Sequence, residues 1–384
     1  MDHHPARKIL VISHEYPPIG GGGGRVIQDL CEGLASAHYT FYILTAHYAD
    51  LPQNETKEFL TIERLRSYRK ESYRASLIAM MCFVWKSFWR AQRLIRAWKP
   101  DLIHAHFAVP GGAGAALASI ISRTPYILTV HGGDVPGGAP EKTDRWFKFI
   151  KPFTGFIWKK ANKVITVSDV SKQLALKHYP VKIEVIPNGI DRGAFQGSAD
   201  QLHTPPHILF VGRYSPEKNA IAVPEILKHL LDLDWKCTMI GDGPQSAQLV
   251  QKINQYDLST RINLAGWLPQ ESVNHLLSQG DILLMPSLRE SMPMVGLQAL
   301  AAGNALILSN VGACSEMVTS GKNGFLLNPQ DIQGFAQSVR ELLATPEKLI
   351  EFKKNSMEIS RKFDIQWVLE QYRNTYQEVA ELSL

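Results

Sequence analysis

Short, continuous apolar segments alternate with helical patterns along most of the chain, and this rhythm constrains the fold more than any other feature. Runs of Ile, Val and Leu without two-fold alternation are typical of parallel strands that are covered on both faces. Such strands, separated by helices, indicate a doubly wound α/β sheet. Candidate strands in the first half are residues 9–13, 41–46, 102–105, 126–130, 163–167 and 183–186. Helical patterns between them cover residues 26–35, 76–97 and 171–177.

A polar, turn-rich stretch at residues 191–206 interrupts this rhythm, which then begins again. The candidate strands of the second half are residues 208–211, 237–240, 262–264, 282–285, 305–308 and 325–327. We therefore predict two Rossmann-like doubly wound domains facing an interdomain cleft, residues 1–190 and residues 191–364. An amphipathic helical pattern at residues 365–384 is predicted to brace both domains. Ligands of such sheets bind beyond the carboxyl ends of the strands, so the segments after the strands are the candidate binding segments.

Composition and charge restrict the class of protein and its partners. The longest apolar run, residues 77–85, is shorter than the roughly 20 residues of a membrane-spanning helix. The N-terminus lacks a signal-peptide pattern and the four cysteines are scattered, so we expect a cytoplasmic protein. Residues 1–190 contain 25 Lys/Arg and 15 Asp/Glu, whereas residues 191–384 contain 16 and 21. The basic half predicts an anionic partner, a membrane surface or an acidic acceptor, unless the charge difference has no functional meaning. No motif supports nucleic acid.

Three segments of the first half follow or end predicted strands and carry polar or flexible groups. Gly20 to Gly24 precede a helix, whose first N–H groups can face an anion; a simple flexible turn is the alternative. Arg25 replaces the third glycine of a dinucleotide-binding loop, and no P-loop ending is present. His131-Gly-Gly-Asp134 ends another strand, and this histidine is either a sugar contact or a structural group. His104 and His106 end a third strand, without a carboxylate that would complete a metal site.

The second half contains a cationic loop and a strand–loop–helix segment. Arg213 and Lys218 lie in one loop and can neutralise the same anion, unless both are simply solvated surface groups. Further along, a loop with Glu290 precedes a helix predicted to start near Met294. The N–H groups and dipole of such a start stabilise a diphosphate. Gln298 lies about one turn into that helix.

In this order and spacing, these segments resemble the retaining glycosyltransferases of family 4, the group 1 transferases with the GT-B fold. The resemblance covers almost the whole chain. It rests on Pro17, Pro18, Gly20 and Gly21, the His131–Asp134 turn, Val167-Ser168, Pro187-Asn188-Gly189-Ile190-Asp191, Gly212-Arg213 with Glu217-Lys218, Gly241-Asp242-Gly243-Pro244 and the Glu290 loop.

The resemblance implies a role for each matching residue. Arg213 and Lys218 would neutralise the donor diphosphate, Glu290 would face the donor sugar, and His131 would contact the sugar near its anomeric end. The further donor-binding residues would be Gly21, Gly22, Gly241, Gly243, Gly266, Trp267, Leu268, Met292, Pro293, Met294, Val295 and Gln298. On the acceptor side we expect His106 and Asp134. No metal or other cofactor is expected.

The sequence departs from the family pattern at two positions. The family has a second glutamate eight positions after the first, which holds the ribose hydroxyls, and here that position is Gln298. A hydrogen bond to a neutral acceptor contributes about 0.5–1.5 kcal/mol, against about 1.5–3 kcal/mol for one to a charged acceptor. We therefore predict weakened ribose contact. Ser291 replaces the common glycine after the first glutamate.

The resemblance implies a retaining transfer from a nucleotide diphosphate sugar, with UDP expected, to a hydroxyl acceptor such as a glycolipid or a cell-surface polysaccharide precursor. The leaving diphosphate would accept the acceptor's proton while cations stabilise its charge. Two alternatives stay open: a GT-B nucleotide-sugar 2-epimerase and a catalytically silent nucleotide-sugar binding protein.

The segment Arg64–Lys99 is predicted either to dock on an anionic membrane or to be part of the core. It interleaves ten Lys/Arg with aromatic residues. One helical face would carry Leu77, Met81, Val84, Phe88, Ile95 and Trp98. Residues 146–160 form a second basic and aromatic stretch. Docking would place the protein peripherally at the inner face of the cell membrane.

Overall fold

The computed structural model describes residues 6–73, 75–138, 154–197 and 199–381. The chain divides into two compact units, Met1–Pro187 with Trp367–Leu384 (unit 1) and Asn188–Gln366 (unit 2). Each unit is built on a largely or wholly parallel sheet with helices between its strands. The predicted α/β class with two Rossmann-like domains is therefore confirmed.

The described part of unit 1 contains an eight-stranded sheet in the order β3-β4-β2-β1-β5-β6-β7-β8. Its strands are β1 Arg7–Ile12, β2 Tyr39–Ala46, β3 Asn54–Lys57, β4 Leu60–Leu65, β5 Leu102–His106, β6 Tyr126–Val130, β7 Lys163–Thr166 and β8 Ile183–Val185. Its helices are α1 Gly22–Leu34, α2 Leu77–Trp98, α3 Ala113–Ser122, α4 with described residues 154–160, α5 Asp169–Leu176 and α13 Ile365–Glu381. All neighbouring strands are parallel except β3, which is antiparallel to β4.

Strands β3 and β4 were not predicted, for a physical reason. The six strands that were predicted in this unit are dominated by continuous apolar segments. In contrast, β4 alternates buried with half-buried residues, and the four residues of β3 lie at the sheet edge and are mostly exposed. A search for uninterrupted apolar runs therefore misses both.

Local signals position two helices of unit 1. The hydroxyl of Ser76 accepts a hydrogen bond from the backbone N–H of Ala79 at 3.2 Å and so caps the start of α2, one residue before the helix begins at Leu77. Helix α1 begins at Gly22, four residues before the predicted start at Val26. Three of the five glycines are therefore helical rather than part of an open loop.

The described part of unit 2 contains a six-stranded parallel sheet in the order β11-β10-β9-β12-β13-β14. Its strands are β9 His207–Val211, β10 Lys236–Ile240, β11 Ile262–Gly266, β12 Ile282–Met285, β13 Ala305–Ser309 and β14 Gly324–Leu327. Its helices are α6 Ala222–Leu227, α7 Ser246–Gln255, α8 Gln270–Ser278, α9 Met294–Ala302, α10 Cys314–Met317, α11 Ile332–Ala344 and α12 Pro346–Ser360. Each of these six strands was predicted to within two residues at either end.

Helix α13 packs on unit 1. The hydroxyl of Tyr376 lies 2.8 Å from Nδ1 of His104, and Leu369 lies against Gly33 of α1. The predicted brace across both domains stays a prediction. Within the described residues, no helix combines the length and the apolar character that crossing a membrane requires.

Candidate functional site

The sheet order of unit 2 creates a switch point beside its first strand. β9 is hydrogen-bonded to β10 on one side and to β12 on the other, so the chain leaves β9 in one direction and returns on its far side. Loops that diverge at such a point leave a crevice at the carboxyl ends of the strands. The loops after β9 and β12 are tied together here. The backbone N–H of Leu288 donates to the carbonyl of Glu217 at 2.8 Å, and the amide of Asn219 donates to the carbonyl of Pro286 at 3.1 Å.

The ammonium of Lys218 joins these two loops through Glu290. Its Nζ lies 2.7 Å and 2.8 Å from the two carboxylate oxygens. The Glu290 side chain is 6% exposed and that of Lys218 is 30% exposed. Two residues predicted to act on the donor are thus brought together, with Lys218 still open to solvent. Their pairing was not predicted, because Lys218 was assigned to phosphate and Glu290 to sugar hydroxyls.

Backbone contacts hold the Glu290 loop in place. Gly312, which follows β13, has a φ of +54°, and a side chain there would collide with the carbonyl of Glu290. The N–H of Ala313 donates to the carbonyl of Ser291 at 2.6 Å. From the start of unit 2, the amide of Asn188 donates to the carbonyl of Met292 at 3.1 Å. The loop is therefore preorganised rather than dependent on a ligand for its shape.

Helix α9 begins four residues after Glu290, at Met294 as predicted. Pro293 precedes it, and no described side chain caps its first turn. The N–H groups of Met294 and Val295 are at the helix start, where backbone donors lack intrahelical acceptors and favour an anion. Gln298 lies one turn further and is largely buried.

The remaining predicted donor-binding residues of unit 2 follow the neighbouring strands β9, β10 and β11 at their carboxyl ends. Arg213 lies between two residues that are hydrogen-bonded to the segment at the end of β10. The N–H of Gly212 donates to the carbonyl of Ile240 at 2.9 Å, and the N–H of Tyr214 donates to the carbonyl of Asp242 at 3.0 Å. The N–H of Gly241 in turn donates to Gly266 at 2.8 Å. Gly243 packs against the backbone of Tyr214. Beyond Gly266, Trp267 is exposed and Leu268 is half-buried.

In unit 1, the glycine-rich segment and the two histidine segments also meet at the carboxyl ends of the strands. A Cβ on Gly23 would lie 2.8 Å from the ring of Phe107 and 3.6 Å from the ring of His131, so a side chain here would force the Phe107 ring to shift. Nδ1 of His106 lies 3.1 Å from Nε2 of His131. Burial lowers the pKa of His131 to about 4, which keeps its ring neutral near pH 7.

Asp134 fixes the turn that carries His131. Its two carboxylate oxygens accept hydrogen bonds from the backbone N–H of His131 at 2.9 Å and from that of Ala108 at 2.7 Å. Burial raises the pKa of this carboxyl to about 6, while the backbone hydrogen bonds act in the opposite direction. Asp134 was predicted to lie on the acceptor side. Its contacts give it a positioning role, because both oxygens already serve the protein.

The carboxylate of Glu15 lies beside the start of α1. The N–H of Gly21 donates to Oε2 of Glu15 at 3.3 Å, and Gly22 is the first helical residue. An anion bound at this helix start would meet the Glu15 charge. The predicted contact of Gly21 and Gly22 with the donor phosphate stays a prediction, and this geometry opposes it.

Each unit of the chain matches the model of a known protein family over most of its length. The model described as Glycosyltransferase Family 4 matches residues 20–193, and that described as Glycosyl transferases group 1 matches residues 194–358. The chain belongs to the group 1 glycosyltransferases. The residues matched by the second model include Arg213, Lys218, Glu290 and α9, the candidate site of unit 2.

Individual relatives agree with this group 1 assignment. An uncharacterized glycosyltransferase of Methanocaldococcus jannaschii is 26% identical over 97% of this chain and 99% of its own length. The UDP-Gal:alpha-D-GlcNAc-diphosphoundecaprenol alpha-1,3-galactosyltransferase of Escherichia coli is 26% identical over 72% of this chain and 76% of its own length. The structure of sucrose-phosphate synthase from Thermosynechococcus elongatus superimposes with a TM-score of 0.83 at 20% identity, covering 97% of this chain and 98% of that one. That likeness shows the GT-B fold.

Three residues of this group 1 glycosyltransferase were not predicted to have site roles. Asn188 supports Met292, Gly312 supports Glu290, and Phe107 lies under the glycine-rich segment. Asn188 lies within residues 187–191, one of the segments that match the family pattern, so the sequence contained a signal that could have identified it. Nothing in the sequence links Gly312 or Phe107 to the loops that they contact.

Proposed function

We propose that this group 1 glycosyltransferase is a retaining, metal-independent hexosyltransferase that moves a sugar from a nucleoside diphosphate sugar to a hydroxyl acceptor. One observation carries the proposal. Lys218 and Glu290 join the two loops that diverge at the switch point of unit 2, and α9 begins four residues later with an uncapped first turn in the described structure. This arrangement offers one cation and several N–H donors to a pyrophosphate.

The proposed chemistry places charge stabilisation on the leaving group. As the bond from the anomeric carbon to the diphosphate breaks, negative charge grows on the phosphate oxygen. Lys218, Arg213 and the first N–H groups of α9 stabilise that charge, and the same oxygen accepts the acceptor's hydroxyl proton. The acceptor oxygen then bonds the anomeric carbon from the face the diphosphate leaves, which retains the configuration. Since protein cations neutralise the diphosphate, we propose that no divalent metal is required.

The name of the Escherichia coli relative supports a choice of donor and acceptor. That protein uses UDP-Gal and a sugar linked to diphosphoundecaprenol, according to its name. We propose by analogy a UDP-sugar donor and a lipid-linked or polysaccharide-precursor acceptor. The four cysteines are free thiols, which agrees with the proposed cytoplasmic location.

A donor screen followed by a turnover assay tests the proposal. Ligands of the native state raise its melting temperature, so UDP-, GDP- and ADP-sugars are first compared by thermal shift. The stabilising donor is then incubated with and without acceptor hydroxyl compounds, each with EDTA and with magnesium. We expect acceptor-dependent release of nucleoside diphosphate, unchanged by EDTA, and a product that NMR shows to keep the donor's anomeric configuration.

Each alternative has its own outcome in this assay. Conversion of the donor to its 2-epimer without acceptor would indicate an epimerase. Binding without turnover of any donor would indicate a silent binding protein, as the uncharged Gln298 allows. Activity that EDTA abolishes and magnesium restores would contradict the metal-independent mechanism.

A further inference from the structure

Helix α2 exposes a row of large apolar side chains to solvent. Ile78, Met81, Trp85 and Trp89 follow one another at spacings of three or four residues, so they lie along one side of the helix. Their exposed fractions are 72%, 64%, 63% and 49%. The two indole rings pack edge to face, with centroids 5.6 Å apart. Trp89 also contacts the ring of Phe88, with centroids 5.0 Å apart, so about half of Trp89 and most of Trp85 remain open to solvent.

This row differs from the apolar face predicted from the sequence. Phe88, Ile95 and Trp98 of the predicted face pack against the hydrophobic core of unit 1. The alternative that the apolar face is part of the core is therefore correct for Phe88, Ile95 and Trp98. Met81, which was also predicted on that face, lies in the exposed row instead. In the second predicted stretch, residues 146–153 lie outside the described residues, and Trp158 is buried.

Helix α3 extends the exposed row sideways. The amide of Gln92 on α2 donates to the carbonyl of Ala118 on α3 at 2.9 Å, and Gly114 of α3 packs directly on Ser87 of α2. The two helices therefore lie side by side. The exposed apolar side chains of α3 are Leu117, Ile120 and Ile121. We call these three residues, together with Ile78, Met81, Trp85 and Trp89, the α2–α3 apolar surface. Scattered exposed apolar residues are ordinary, but seven on two adjacent helices indicate a binding surface.

The charged side chains of α2 are all positive, and one of them, Arg90, pairs with Glu63 at 2.7 Å. Residues 72–100 contain six Lys/Arg and no Asp or Glu. Arg93 and Arg96 are exposed on α2, and Arg123 ends α3. Tryptophan prefers the headgroup level of a bilayer, and neighbouring cations attract anionic lipids. An acidic protein partner would satisfy the charges, but the exposed apolar area matches the acyl boundary of a lipid layer.

We propose that the α2–α3 apolar surface inserts into the interface of a lipid bilayer that contains anionic lipids, with Trp85 and Trp89 at headgroup level. Arg93, Arg96 and Arg123 then contact the lipid phosphates. The surface lies in unit 1 and uses none of the residues assigned to the donor. Its test therefore measures membrane binding alone, and failure would leave the proposed transferase chemistry intact.

Co-sedimentation of the full chain with vesicles tests this surface. We expect binding to vesicles of phosphatidylcholine with phosphatidylglycerol and much weaker binding to phosphatidylcholine alone. The triple variant Ile78→Gln, Trp85→Gln, Trp89→Gln should reduce partitioning at least tenfold. The matched control is Leu231→Gln with Val250→Gln, two exposed apolar residues of unit 2, which should bind like the parent. Arg93→Gln and Arg96→Gln should each weaken binding to anionic vesicles about fivefold.

A conservative pair of substitutions keeps the test decisive if the triple variant folds poorly. Brominated lipids should quench tryptophan fluorescence of the parent, and Trp85→Phe with Trp89→Phe should remove most of that quenching while preserving an apolar surface. Equal partitioning of parent and triple variant, or no binding by the parent, would overturn the proposal. A parent dimer that the triple variant converts to a monomer, without vesicle binding, would assign the surface to a second copy instead.

Discussion

The ammonium of Lys218 lies 2.7 Å and 2.8 Å from the two carboxylate oxygens of Glu290, a residue 72 positions later in the chain. This ion pair links the loops after β9 and β12 at the switch point of the unit 2 sheet. A bound pyrophosphate would compete with Glu290 for the Lys218 ammonium. The pair therefore fixes the Lys218 ammonium while leaving 30% of that side chain exposed, which the proposed binding of a pyrophosphate requires.

Removing the Lys218 charge should weaken both the site and the unit. In Lys218→Met the nearly buried Glu290 carboxylate loses its partner, and the free energy of unfolding should fall by about 1–3 kcal/mol. The catalytic efficiency for the donor, kcat/KM, should fall roughly 10²–10³-fold, as expected when a group that stabilises the charge growing on the leaving diphosphate is removed. Lys252, paired with Glu225 at 2.8 Å on the surface of the same unit, supplies the control. Because exposed ion pairs contribute little, Lys252→Met should change stability much less than Lys218→Met and leave kcat/KM unchanged. Equal kinetic losses in both variants would refute the role of Lys218.

Arg213 should act mainly in the transition state. Because charge grows on the leaving diphosphate as the glycosidic bond breaks, Arg213→Ala should lower kcat more than it raises the donor dissociation constant. Arg213→Lys keeps the charge but loses the planar pair of donors, so it should recover part of the rate. Steady-state kinetics and calorimetric binding on the same preparations separate the two effects. Loss of binding equal to the loss of rate would argue for ground-state recognition only.

Gln298→Glu should separate donor affinity from stability. Gln298 is largely buried on α9, so a carboxylate there should lower the melting temperature of the unliganded protein, because burying a charge is unfavourable. With donor bound, the new carboxylate can accept stronger hydrogen bonds from the ribose hydroxyls, so the dissociation constant should fall or stay unchanged. Thermal melts and calorimetry check both expectations. A clearly higher dissociation constant would remove the assignment of Gln298 to the ribose.

Acid should destabilise unit 1 through its buried histidines. The pKa of His14 is lowered to about 3 by burial, then by Arg69 and His131, and burial also lowers that of His104 to about 3. Unfolded histidine binds its proton near pH 6.5, so between pH 6.5 and these values the unfolded chain holds more protons and stability falls as pH falls. Asp134 partly offsets this loss of stability in acid. Its raised pKa makes the folded chain bind an extra proton between about pH 4 and 6, so its own contribution to stability increases as the pH falls.

His14→Phe isolates one histidine in this acid response. The His14 ring packs edge-on against Phe83 and Phe107, so a phenyl ring suits the same surroundings. For a histidine whose pKa falls from 6.5 to about 3 on folding, the loss of stability at pH 5.5 is on the order of 1 kcal/mol. Urea unfolding at pH 7.5 and 5.5 should show a smaller acid loss in His14→Phe, by about that amount. Identical losses in parent and variant would contradict the assigned burial of His14.

The sequence predicted the elements better than their contacts. Continuous apolar segments identified every strand except β3 and β4, whose alternating or exposed residues lack that pattern. The start of α9 was predicted, but the pairing of Lys218 with Glu290 depends on strand order, which apolar patterns do not encode. Similarly, α2 is apolar around most of its circumference, so the pattern could not tell its core face from its exposed row.

Calorimetric titration of nucleoside diphosphates tests the central claim most directly. The claim is that Lys218 and the start of α9 bind a pyrophosphate, so UDP, GDP and ADP are compared with their nucleosides in parent, Lys218→Met and Lys252→Met proteins. We expect one diphosphate to bind the parent and Lys252→Met equally, its nucleoside to bind at least tenfold more weakly, and Lys218→Met to lose most of the difference. If Lys218→Met bound the diphosphate as tightly as the parent, or if the nucleoside bound as well as the diphosphate, the assigned site would be wrong.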